Sequence, residues 1–295
     1  MADHLEGPYQ PPLANFRDLG KSTSDNPDGK SYVKTGLMTR SATLDNMTEE
    51  QVNEFIDQTN TRTILDLRTS IEGIPGSPIS LHYPTTVIKT KSTPKVEEKA
   101  ATPRQKFCVN FVGNNFRRNF VIPACSWFIK IKLLLYLLFR REHWATYVVS
   151  KEVLDPLGLA NLYKKFVEFC PVEIYQALAV FTEQENYPIH VQCSFGKDRT
   201  GLVCFLVMSI CGVPEEVIVQ DYAKTQAGIR PIYSELMMDL QRVGLSEGFI
   251  DASPQNMRGL IEFIKEQYGS VEDYLVNVVG LSLEQQAKIR SVLCA

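Results

Sequence analysis

A cysteine and an arginine six residues apart, Cys193 and Arg199, are followed at once by Thr200 and Gly201, and Ser194, Phe195, Gly196, Lys197 and Asp198 fill the turn between them. The order Cys-x5-Arg-Thr-Gly suits the capture of a phosphoryl group. A loop of successive backbone N–H groups that leads into a helix N-terminus attracts anions, because unpaired amides and the helix dipole both favour negative charge. A cysteine at the centre of such a loop is favoured as thiolate, its nucleophilic form. Arg199 offers a planar fork of donors to two phosphoryl oxygens, a geometry lysine lacks. Gly196 lets the backbone turn tightly, and Gly201 lets the helix begin close beneath the loop. Thr200 is placed to give a hydroxyl hydrogen bond to the Cys193 sulfur, and Asp198 is a candidate proton donor for the leaving group. Cys193, Arg199 and Asp198 are therefore the candidate catalytic residues. Ser194, Phe195, Gly196, Lys197, Thr200 and Gly201 are the candidate phosphate-binding residues.

The elements that must position this turn flank it. Ile189 and Val191 mark a buried strand before it, and an apolar helix from Thr200 to a stop at Gly212 follows. His190 and Gln192 share the other face of that strand, since side chains alternate. His190 reads as a core histidine or as a residue that orients the loop. Further upstream, 61–67 (TRTILDL) is a second β-rich run ending in Asp66, Leu67 and Arg68. Ligands of open α/β sheets sit beyond the carboxyl ends of strands. The Asp66–Arg68 end and the Cys193 turn are thus expected to face one pocket. Asp198 has an alternative role as a helix cap, with Asp66 or Glu72 then supplying the proton. Lys197 reads either as a solvated loop charge or as an attraction for polyanionic head groups.

This turn resembles the signature of the cysteine-based protein tyrosine phosphatases. The form CxxGKDRTG is similar to an atypical microbial and fungal subset acting on phosphotyrosine, phosphoserine/threonine or phosphoinositides. Asn15-Phe16-Arg17-Asp18-Leu19-Gly20, Arg40-Ser41-Ala42, and Asp66-Leu67-Arg68 with Glu72 resemble the other landmarks of that subset, in the same order, so the likeness runs from about residue 13 to about residue 226. It implies an α/β fold with a short, mostly parallel central sheet flanked by helices, a helical insertion as lid and a helical C-terminal tail. Arg17 and Asp18 read as pairing with each other or bracing the loop. Two positions depart from the usual pattern: Gln192 stands where histidine commonly precedes the nucleophile, and the bulky Phe195 precedes Gly196.

Composition sets outer bounds. The 295 residues are 44% hydrophobic and 22% charged with a net charge of −3, which suits one globular domain and gives no electrostatic footprint for nucleic acid. Seven cysteines show no CxxC pair and no metal-ligand spacing, so no metal or other cofactor is expected, and a reduced, cytoplasmic set of thiols is.

Along the chain, residues 1–12 read as an extended leader and 22–29 as a surface loop. Thr48-Glu49-Glu50-Gln51 is a capping box ahead of a helical stripe of Val52, Phe55 and Ile56. The polar stretch 88–106 carries six Lys/Arg and two Glu and reads as a mobile basic loop, and 107–150 as the helical insertion. Within it, 127–144 (WFIKIKLLLYLLFRREHW) has an apolar run of 133–139, far short of the roughly 20 residues a membrane span needs. An all-round apolar helix is ordinarily buried in a core. Its basic flanks, Lys130, Lys132, Arg140 and Arg141, also suit a lid or an interfacial helix in peripheral contact with an anionic membrane. Helices follow to the C-terminus, including 254–268 behind Ser253 and 283–293 behind Ser282 and Gln285.

These readings converge on a phosphomonoester hydrolase working through a cysteinyl-phosphate intermediate, with phosphorylated protein or phosphoinositide as substrate. The other classes open are a phosphate-binding pseudophosphatase, suggested by Gln192 and Phe195, and a sulfur-transfer protein.

Overall fold

The structure is a computed structural model that describes residues 13–26, 28–69, 72–89 and 104–295. The leader 1–12 and most of the basic stretch lie outside the described residues.

Six short strands form one sheet: β1 (Arg17–Asp18), β2 (Met38–Ser41), β3 (Thr63–Asp66), β4 (Thr85–Val87), β5 (Gln105–Cys108) and β6 (Ile189–Gln192), in the order β1-β2-β6-β3-β5-β4. Only β1 runs antiparallel to its neighbour. The two innermost strands are buried along their whole length, as expected of parallel strands covered on both faces. Alternation along β3 shows the two layers directly. Ile64 packs into a small cluster with Leu44, Val52, Phe55 and Tyr83, whereas Leu65 joins the large core with Ile189 and Val191.

The principal helices are α1 (Leu19–Ser24), α2 (Glu49–Thr59), α3 (Trp127–Leu138), α4 (Glu142–Val149), α5 (Leu159–Phe169), α6 (Pro171–Ala179), α7 (Asp198–Ile210), α8 (Glu215–Gly228), α9 (Tyr233–Val243), α10 (Pro254–Tyr268) and α11 (Leu283–Leu293). Local signals explain several of their ends. Thr48 and Gln51 close a reciprocal capping box on α2, and Ser282 and Gln285 do the same on α11. The Ser253 hydroxyl caps α10 ahead of a proline at the first turn. Helix α7 follows β6 through the core, with Leu202, Val203, Phe205 and Leu206 fully buried; each such side chain contributes roughly 1.5–3 kcal/mol.

Four expectations are corrected. The basic loop is bounded more tightly, because Ile88 is buried and residues 105–106 belong to β5, which pairs with both β3 and β4. The helical insertion accordingly begins at Asn114, not at 107. Residues 22–24 finish α1 with Ser22 and Thr23 buried, so that loop starts later. Helix α3, finally, is not a core helix: none of its residues is buried, and Trp127, Phe128, Leu134, Leu138 and the following Phe139 are each more than 60% exposed.

Candidate active site

Strand β6 leads directly into Cys193, which is 2% exposed, and the chain then turns within four residues into α7. The helix starts at Asp198, two residues before the expected Thr200, so Asp198 and Arg199 sit in its first turn. The turn is forced by Gly196. Its φ is +62°, and a Cβ there would lie 2.2 Å from the Ser41 carbonyl oxygen at the end of β2. Among the described residues, no backbone N–H of 194–199 donates to a protein acceptor, which leaves a run of amides free beside the thiol. Together with the α7 N-terminus, that arrangement is an anion cradle.

Arg199 is held rather than loose. Its Nη1 and Nη2 donate to the two oxygens of Glu72 at 2.8 and 2.6 Å, Nη1 donates also to the Leu67 carbonyl, and Nη2 to Ser194 Oγ at 3.3 Å. Ser194 Oγ in turn donates to Glu72 Oε1, and the Thr69 backbone and hydroxyl donate to Oε2. Burial alone would raise the Glu72 pKa, but the Arg199 charge and these hydrogen bonds hold the carboxyl well below the usual carboxylate range. Glu72 is therefore a carboxylate that orients Arg199, not a proton donor. The pairing takes the Nη1–Nη2 edge of the guanidinium, and Nε makes no hydrogen bond among the described residues.

Lys197 is neither a solvated charge nor a head-group ligand. Its side chain is 1% exposed, and Nζ donates to Asp198 Oδ1 at 2.6 Å and to the Asp251 carbonyl. Tyr163 on α5 donates to the same Asp198 oxygen at 2.6 Å, and its hydroxyl is 2.7 Å from that of Tyr222 on α8. Burial, then the neighbouring Asp198 charge, pushes the Tyr163 phenol well above its ordinary range, so it stays a donor. With Oδ1 held from two sides, Asp198 Oδ2 takes no hydrogen bond within the described residues, and the side chain is 26% exposed.

Beneath the loop lies a cluster that spacing did not reveal. Asp221 on α8, fully buried, accepts from Arg17 at 2.8 Å, Arg40 at 2.9 Å and the Ser22 hydroxyl at 2.6 Å. Arg40 Nη2 then donates to the Gly196 carbonyl. Asn15 Nδ2 donates to the Gly196 and Phe195 carbonyls, and its own Oδ1 accepts from Arg17 at 2.6 Å. Burial would raise the Asp221 pKa, but the two guanidinium groups hold it well below the carboxylate range. Arg17 thus braces the loop through Asn15 and Asp221 and does not pair with Asp18. Asp18 instead caps α1 and accepts from the Gly36 amide.

Other candidates fall into place around this floor. Gln192, fully buried, takes the Leu44 amide on Oε1 and donates from Nε2 to Asp66. Asp66 is also paired with Arg68, which reaches Asp45 and the Thr43 hydroxyl. Burial opposes ionisation of Asp66, yet its hydrogen bonds and charge pairing with Arg68 lower its pKa, so it is a structural anion and Arg68 a structural cation. His190 bridges Thr39 Oγ1 and Ser41 Oγ at 2.9 Å each, and burial pushes its pKa down to about 3. It is a neutral core histidine fixing the end of β2. Thr200 Oγ1 is buried with no partner among the described residues. The carbonyl one turn back, Gly196, is already taken by Asn15 and Arg40.

The residues missed by sequence reasoning are Tyr163, Tyr222, Asp221 and Asp45. A signal existed for two of them, as Asp221 and Tyr222 sit on the apolar side of a helix beside Ile218.

Comparison with known proteins gives the family. The family model described as "Tyrosine phosphatase family" matches residues 10–295. The chain is similar to the triple specificity protein phosphatase PtpB of Mycobacterium tuberculosis, 27% identical over 121 residues (36% of this chain, 44% of that protein). It is also similar to a tyrosine-protein phosphatase of Nostoc commune, 26% identical over 149 residues (46% of this chain, 49% of that protein). It therefore spans less than half the length of these curated relatives. The match over nearly its whole length nonetheless makes the chain a member of the tyrosine phosphatase family.

Proposed function

We propose that the chain hydrolyses phosphomonoesters of protein tyrosine and serine/threonine residues through a cysteinyl-phosphate intermediate. The observation that carries this reading is the run of free amides at 194–199 beside Cys193, with Arg199 fixed by Glu72. The Cys193 thiolate attacks phosphorus as the bond to the leaving oxygen breaks. Asp198, protonated on Oδ2 in the substrate complex, gives that oxygen its proton. Water then attacks phosphorus, the S–P bond breaks, Asp198 takes a proton back, and inorganic phosphate leaves. Loop amides and Arg199 hold the equatorial oxygens throughout, so positioning and charge stabilisation supply most of the rate.

Phosphate release from a phosphotyrosine peptide tests this. Cys193→Ser abolishes it, and acid-quenched wild type carries labelled phosphate on Cys193. Wild-type turnover by Cys193→Ser, or a wild type that binds phosphate without turnover, refutes the reading. Asp198→Asn lowers kcat far more for a poor leaving group than for p-nitrophenolate; equal losses remove Asp198 as the acid.

A second substrate reading, phosphoinositides, is favoured by the exposed apolar helix α3 with its basic flanks rather than by Lys197, which is buried against Asp198. Seven free cysteines support a reducing, cytoplasmic setting. No helix of the described residues is long and apolar enough to cross a membrane.

A further inference from the structure

Helix α3 and the turn into α4 leave a broad apolar surface uncovered. Only Ile129, Leu133 and Tyr136 are half-buried, on the stripe facing the protein. Around the rest of the helix, Trp127, Phe128, Leu134, Leu137, Leu138 and Phe139 are 54–72% exposed. A patch of this kind marks an interaction surface. Its charge says what kind. Residues 107–141 contain six basic side chains, Arg117, Arg118, Lys130, Lys132, Arg140 and Arg141, and no Asp or Glu at all. A chain with net charge −3 has thus concentrated cations around its most exposed apolar helix.

Twelve residues span about 18 Å, too short to cross a bilayer but long enough to lie in its interface. The chain's two tryptophans, Trp127 and Trp144, sit at the start of α3 and in α4, both exposed, and tryptophan favours the head-group level. We infer that the α3–α4 hairpin docks on an anionic lipid bilayer, with the outer face of α3 entering the acyl boundary and the basic residues at the head groups. A second copy of the chain fits less well, since the same cations would oppose one another across a two-fold contact. This inference does not depend on the phosphatase reading.

The two tryptophans make the hairpin its own reporter. Full-length protein is titrated with phosphatidylcholine vesicles, with and without phosphatidylserine, and followed by tryptophan emission and by flotation. Emission moves to shorter wavelength, and protein floats, only with phosphatidylserine. Lys130→Gln with Lys132→Gln weakens binding about 30-fold, from roughly fivefold per basic residue at an anionic leaflet. Leu134→Glu with Leu138→Glu abolishes binding and leaves the thermal unfolding midpoint unchanged, because both side chains are about 70% exposed. The inference is overturned by absence of binding, by equal binding to both vesicle types, by wild-type binding of the Leu134→Glu/Leu138→Glu protein, or by a dimer in light scattering that buries the tryptophans without lipid.

Discussion

Replacing Asp221 by asparagine removes the one carboxylate that Arg17 and Arg40 share beneath the phosphate loop. The Asp221 and Arg40 side chains are 0% and 1% exposed, so the Arg40 guanidinium gains no water when its partner is neutralised, and Arg17, 12% exposed, gains little. An asparagine fits the space, but its amide hydrogens face donors, and removing one member of a buried ion pair costs about 3–5 kcal/mol. For a chain of this size that corresponds to a fall in Tm of about 5–8 °C. The catalytic loss is separate from the stability loss. Arg40 holds the Gly196 carbonyl, and loosening the loop by about 1 Å lowers kcat/KM roughly 100-fold. Calorimetry at pH 7, with phosphate release measured well below the variant's midpoint, reads both effects. The pH dependence fixes the cause. Because the folded pKa of Asp221 is depressed, its stabilisation is fully present above the unfolded aspartate value of about 3.9 and is lost as pH falls toward the folded value. The gap between variant and wild type must therefore be widest near neutrality and close in acid. A Tm within about 2 °C of wild type at pH 7, or an unchanged kcat/KM, refutes the idea that this buried pair supports the loop.

Three further variants probe neighbouring contacts. Glu72→Gln discharges the partner of Arg199 and should lower kcat/KM about 10–100-fold, in line with about 1.5–3 kcal/mol for a charge-assisted hydrogen bond; a wild-type value would show that Arg199 positions itself. Gly196→Ala places a Cβ 2.2 Å from the Ser41 carbonyl at a φ of +62°, and is expected to abolish phosphate release and lower Tm, which calorimetry and a phosphate assay detect together. Tyr163→Phe removes one of two donors to Asp198 Oδ1 and should lower kcat more for a poor leaving group than for p-nitrophenolate, with little change in KM; equal kcat ratios to wild type for both would reduce Tyr163 to packing. His190 is neutral in the fold to about pH 3 while the unfolded residue protonates near 6.5, so its share of stability is lost as pH drops below that value, approaching about 1.4 kcal/mol per pH unit. Urea midpoints of wild type and His190→Asn between pH 7 and 5 should converge accordingly, and parallel curves would contradict it.

The parts of the site legible in the sequence are those whose geometry is local. Cys193, Gly196, Asp198 and Arg199 lie within seven residues of one strand-turn-helix, and the capping boxes at Thr48 and Ser282 lie within four. Spacing alone can specify such units. The braces are different, since Asp221 meets Arg40 across 181 residues and Tyr163 meets Asp198 across 35, and nothing in local periodicity encodes those meetings. Burial of Lys197 is not legible in the sequence because a lysine in a loop is ordinarily solvated, and only the fold brings the Asp251 carbonyl close enough to cover it. Helix α3 left two readings open, core or interface, for the opposite reason. Apolar residues around every face indicate burial, but the sequence does not say whether the burying partner belongs to the same chain.

Asp221 and Tyr222 are consecutive on α8, yet they serve opposite ends of the chemistry. One anchors the loop backbone through Arg40, and the other touches the tyrosine that holds Asp198, the proposed proton donor. Tyr222 also lies against Gly201, where an added Cβ would meet its ring at 3.3 Å, so α7 and α8 approach as closely as their side chains allow. The two functions share a single point of failure. A small slide of α8 along α7 would release the loop and misdirect Asp198 in one movement, which on the proposed mechanism ties turnover to the seating of a helix that need not itself touch substrate.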